Sequence, residues 1–173
     1  MSLFSKLFKQ SEPAPEPVQT VPEPIQQKQH YDFIVKSENE KTNKALEKYQ
    51  KFWTDPDNKY DGMKLMEFKK EGNPGDKVYQ YPPLDVDMKL EAFIADEDGS
   101  VTISAYILDG SENEIYVGTA AKTKAKKILR ILQNEHPKIT GELYGGKYWK
   151  MEGSGYVDDR WTEDLTVRVY FEY

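Results

Sequence analysis

Cysteine is absent from all 173 residues, which excludes disulfides, thiolate zinc sites and a cysteine nucleophile. Histidine is nearly as scarce. His30 borders a proline-rich segment and His136 ends a helical pattern, and neither has a sequence-local acid or nucleophile to orient it. No run approaches the roughly 20 apolar residues that a membrane-crossing helix needs. The first ten residues, MSLFSKLFKQ, lack both the long apolar run and the small-residue cleavage site of a secretory signal. With no cysteine to protect and no export pattern, the expected location is cytoplasmic. Positive charge is in the minority, and the net charge of -6 argues against coating duplex DNA by charge alone. Local contact by a basic segment stays open.

What is present divides the chain in two. Leu3, Phe4, Leu7 and Phe8, flanked by Lys6 and Lys9, could form an amphipathic turn or two that docks on a partner or a membrane surface. Ser11 to Gln29 alternates proline with acidic and polar residues and cannot bury a core, so residues 1–29 are expected to be a disordered tail. Order is expected from His30 onward, residues 30–173 forming one domain. Tyr31, Phe33 and Val35 alternate as in a strand with one buried face, and Ser37 with Glu40 has capping-box spacing ahead of a helix. In that helix Ala45, Leu46, Tyr49, Phe52 and Trp53 form an apolar stripe that reads as core. Thr54 to Asp61 reads as a turn-rich loop, and Gly62 to Glu71 fits neither helix nor strand period.

Alternation then predicts strands over Lys77–Tyr81, Asp87–Ala95 and Val101–Leu108, the last two joined by a hairpin at Asp96–Gly99. With Glu114–Val117 they form a meander. A helix follows, from a Thr119 cap to about Asn134, with Ala125, Ile128, Leu129 and Leu132 on its inner face. Lys122, Lys124, Lys126, Lys127 and Arg130 load the same helix with positive charge, and no acidic residue appears before Glu135. A solvated face or a docking surface for a polyanion both fit. Lys138–Tyr144 reads as a strand closed by a Gly145-Gly146 corner, Lys147-Tyr148-Trp149-Lys150 as a further strand or rim, and 153–159 as a mobile loop. Leu165–Tyr173 alternates as the strand that closes the sheet. The acidic cluster Asp158, Asp159, Glu163 and Asp164 reads as a solvated loop, so no metal or cofactor is expected. The fold class expected is α+β: a small, strongly curved antiparallel sheet or partly open β-barrel with two packed helices.

The order of two strands, then EIYVGTAAKTKAKKILRIL, a strand ending in YGG and a last alternating strand, resembles the HIRAN domain. The resemblance covers about Met88 to Tyr173; Ile115-Tyr116-Val117-Gly118-Thr119 stands where the family has isoleucine, glycine, tyrosine, an aliphatic residue and proline, with the glycine displaced and the proline absent. It implies a small β-barrel with an inserted helix that binds single-stranded DNA ends. In eukaryotic members an asparagine, any residue, tyrosine, aspartate motif contributes, and Asn58-Lys59-Tyr60-Asp61 carries those letters well ahead of the matching strand. On that resemblance Tyr60 would stack on a terminal base and Asp61 would accept from a sugar hydroxyl.

The function expected is therefore a non-enzymatic nucleic-acid-binding module for single-stranded or end-bearing DNA, accessory to DNA processing. The basic helix would take phosphates, and Lys147, Tyr148, Trp149 and Lys150 would offer stacking. The alternative is a protein–protein adaptor tethered through residues 1–29.

Overall fold

The computed structural model describes residues 30–110, 113–153 and 156–172. The expectations for the tail and for the glycine-rich loop around residue 154 lie outside them. Seven strands and three α-helices follow in the order β1 (His30–Lys36), α1 (Glu40–Trp53), α2 (Leu65–Glu71), β2 (Lys77–Tyr79), β3 (Leu84–Ile94), β4 (Val101–Leu108), β5 (Glu114–Thr119), α3 (Lys122–Asn134), β6 (Lys138–Met151) and β7 (Val157–Glu172). A 3-10 turn at Pro56–Gly62 separates α1 from α2.

All strands pair antiparallel in the order β1-β7-β6-β3-β4-β5, with β2 added on the far end of β6. The sheet curves until its two edges meet at one point. There the Glu38 N–H donates to Val117 O at 3.1 Å, and Gly118 lies so close to the Lys36 carbonyl that a side chain would collide with it. Among the described residues no ladder joins the edges, so the sheet stays open. The α+β class and the curved sheet are as the alternation implies.

One core lies inside the curve. Phe33, Val35, Ile103, Ala105, Ile107, Val117, Leu143 and the β7 residues Leu165, Val167, Val169 and Phe171 supply its sheet side. Leu46 of α1 and Ala125, Ile128 and Ile131 of α3 cover it. A second, smaller cluster forms where β2, β6 and β7 run past the first: Phe68 of α2 packs with Met151 and Val157.

Several local expectations change. Asn39, not Ser37, caps α1, its side-chain oxygen accepting from the Thr42 N–H at 3.0 Å; the Ser37 hydroxyl instead donates to Asn43 Oδ1. That same oxygen accepts the Leu165 N–H at 2.7 Å, tying helix to strand. Thr119 does not cap α3. It pairs with Ser104 as the end of β5, and the Ala120 N–H donates to Ile103 O, so sheet bonding holds the chain until Ala121. The ambiguous stretch contains a third helix, α2. Gly145 and Gly146, with φ of +106° and +86°, do not end a strand. They form a bulge inside the continuous β6, where a Cβ on Gly145 would sit 2.8 Å from Asp164 O. Asp158 and Asp159 belong to β7, which begins eight residues before the expected Leu165.

Candidate docking surfaces

On α3 the buried line Ala125–Ile128–Ile131 fixes the helix against β4, and the five cations are left in solvent. Lys122, Lys126 and Arg130, four residues apart, form a ridge with a repeat of about 6 Å. Lys124 and Lys127 flank it, the latter's ammonium 3.8 Å from the Tyr31 ring centroid. Among the described residues none of the five is within ion-pair distance of a carboxylate, although other surface cations are: Lys44, Lys77, Lys89, Lys150 and Arg160. The Lys122 end is faced by acid, since Lys122 adds to the backbone and side-chain hydrogen bonds from Ser100 that lower the Asp98 pKa. The charge also opposes the helix dipole. Lys122 and Lys124 occupy the first turn, no acid accompanies them, and Ala121 gives no side-chain cap.

The far end of β6 is built differently. Tyr148 and Trp149 point to opposite faces, as neighbours in a strand must. Tyr148 is 4% exposed, beneath the Lys77 ammonium (4.7 Å from its centroid) and beside Tyr79 and Trp161. Trp149 packs on the opposite side near Phe68, and Tyr60 stacks on it at 3.7 Å with an interplanar angle of 7°. Lys150 is ion-paired to Glu152 at 2.8 Å and lies over Trp161; Lys147 is exposed. The expected rim of two free rings is therefore corrected: one ring is buried and the other already carries a partner. Tyr60 and Asp61 both have positive φ, 53° and 56°. Such conformations cost on the order of 1 kcal/mol or more each. The Trp149 stack and a Tyr60 N–H bond to Gln80 O at 3.2 Å hold them.

Charge on this face is locked internally. Glu163 accepts from the Lys77 ammonium at 2.5 Å and the Tyr79 hydroxyl at 2.8 Å. The Lys77 bond keeps the Glu163 carboxyl below its usual range, while burial and then Glu163 push the Tyr79 phenol up to about 12. Arg160 grips Asp158 through two side-chain bonds of 2.9 Å and lowers it to about 2.

The structure brings Tyr60 and Trp149 together but not the cations and the rings. Lys127 lies over Tyr31, which pairs with Phe171 and through it Ile139; Trp149 is ten residues farther along β6. At about 3.3 Å per residue that is roughly 30 Å of strand. The basic helix and the aromatic end are two surfaces.

A third surface was not anticipated. On α1 only Thr42, Leu46 and Gln50 are buried, so the helix leans on the sheet by that line. Phe52 is 77% and Trp53 53% exposed, which corrects their assignment to the core. Together with Ala45, Tyr49 and Ile115, and with Lys48 and Asp109 as its charged members, they line a groove of about 670 Å³ between α1 and β5. The groove continues past Trp53 to Leu84, Asp85 and Asp87. Burial, and after it the negative charge of Asp109 and Asp87, raises the Tyr49 pKa. Two of the three residues on the buried line, Thr42 and Gln50, are polar, so hydrophobic spacing along α1 did not reveal it. Trp161, 42% exposed, was also missed, because DDRWTED resembles a turn more than a strand.

Among the described residues no group of three or more metal-ligating side chains gathers, and no helix is long and apolar enough to cross a membrane. No protein-family model, curated protein or solved structure matches the chain.

Proposed function

We propose that the chain is a nucleic-acid-binding module, without chemistry of its own, that engages a phosphate backbone through α3. The supporting observation is the set of five exposed cations on one helix, unpaired with any described carboxylate, two of which, Lys122 and Lys124, stand in the first turn against the helix dipole. A helix stabilised for its own sake would carry acids in its first turn. An anion resting there would offset both the dipole and the crowded ammonium groups. The ridge from Lys122 to Arg130 is only about 12 Å long, which suits a single strand or a strand end better than wrapped duplex. The HIRAN resemblance points the same way, toward an accessory in DNA processing. Ring stacking adds little support, since Tyr148 is buried and Tyr60 and Trp149 satisfy each other.

A fluorescently labelled single-stranded oligonucleotide tests this by anisotropy at several salt concentrations. Each phosphate neutralised on a single strand contributes about -0.7 to the slope of log K against log salt, so three to five contacts give roughly -2 to -3.5. Lys126→Ala with Arg130→Ala removes about 1.4 of that slope. Binding that ignores salt, or no binding at low salt, refutes it. The α1 groove favours a second reading, a protein–protein adaptor, which then takes precedence.

A further inference from the structure

The α1 groove is an open apolar surface with an acidic end, and the chain carries a segment of matching chemistry. We infer that the groove is the docking site of the chain's own N-terminal peptide, Leu3–Lys9, held in the same molecule. Leu3, Phe4, Leu7 and Phe8 recur at helical spacing, as the anchors of a helix laid in a groove do. Phe52, Trp53, Tyr49 and Ile115 offer aromatic and aliphatic walls to receive them. Lys6 and Lys9 complement Asp85 and Asp87 at the acidic end.

The length of chain fits. Ser11 to Gln29 supplies nineteen residues, and at about 3.1 Å per residue an extended proline-rich linker reaches nearly 60 Å. From His30 the path along β1 and then α1 to Trp53 is on the order of 40 Å. The peptide therefore reaches the groove without strain. A linker of this kind gives the peptide an effective concentration in the millimolar range, so modest affinity suffices to keep it seated. The consequence is a built-in occupant that any other ligand of the groove must displace. This inference is independent of the nucleic-acid reading, because α3 contributes no residue to the groove.

The absence of cysteine makes the test clean: Ser5→Cys in the full chain gives one thiol for a nitroxide label. With millimolar effective concentration and submillimolar affinity, the backbone amide signals of Ala45, Tyr49, Trp53 and Ile115 lose more than about half their intensity. Adding Phe4→Ser and Phe8→Ser restores them. Broadening that avoids the groove, or that persists in the serine variant, overturns the inference. Mixing isotope-labelled chains without nitroxide and nitroxide chains without isotope separates the remaining case. Broadening of the groove signals in that mixture means that a second copy supplies the peptide, which also overturns it.

Discussion

Ala121 and Lys124 provide a way to separate what α3 does for the fold from what it does for a ligand. Ala121 is exposed, with φ -56° and ψ 133°, a backbone suited to an N-cap but lacking the side-chain oxygen. Lys124 is three residues on, with its N–H donating to Ala121 O at 2.8 Å. Ala121→Ser with Lys124→Glu builds a capping box in place. A serine cap contributes about 1 kcal/mol over alanine, and replacing a first-turn cation by an acid adds about 0.3–1 kcal/mol. Lys124 is preferred to Lys122, whose charge already acts on Asp98. The double variant should gain about 1–2 kcal/mol, read as a rise in urea midpoint at unchanged m and a Tm higher by roughly 3–8 °C. Its affinity for the single-stranded oligonucleotide should fall at low salt, with the salt slope reduced by about 0.7 for the lost cation. A variant no more stable than the parent refutes the view that the helix carries misplaced charge. A variant more stable with binding intact removes the N-terminal half of α3 from the interface.

Two further outcomes follow from the same geometry. Leu46→Ala, at a side chain with no exposed surface, should cost about 2–5 kcal/mol in denaturant, whereas Phe52→Ala on the same helix, made in the Phe4→Ser, Phe8→Ser chain so that no docked peptide contributes, should stay within about 0.5 kcal/mol; equal losses would return Phe52 to the core. Glu163→Gln should lower Tm at neutral pH, and the difference should close as pH falls through and below the ordinary carboxylate range. The sign follows from the folded carboxyl being held below its usual range by Lys77: its contribution is present above the unfolded pKa and lost on acidification through the folded one. A difference that persists once acidification has protonated the carboxyl in the folded protein would mean that the charge of Glu163 is not what steadies the β2–β6–β7 end.

The sequence by itself determined the elements whose pattern is local. The alternation Phe33/Val35, Ile103/Ala105/Ile107 and Val167/Val169/Phe171 marked strands because period two leaves one face to bury, and each of those residues is buried. Ala125 and Ile128 marked the inner line of α3, and with it the solvent exposure of the five cations. Tertiary structure decided what depends on partners far along the chain. Phe52 and Trp53 have the spacing of core residues, but whether a ring is covered depends on how far the sheet extends beneath the last turn, which no window of α1 reports. Gly145 and Gly146 look like a corner; the long β7 alongside turns them into a bulge and carries β6 onward. Tyr148 and Trp149 are neighbours in sequence and strangers in space, because the pleat sends one toward Lys77 and the other toward Tyr60. The separation of the basic helix from those rings was likewise invisible. It follows from the pairing of β1, β7 and β6, which sets α3 at one end of the long hairpin and the aromatic cluster at the other.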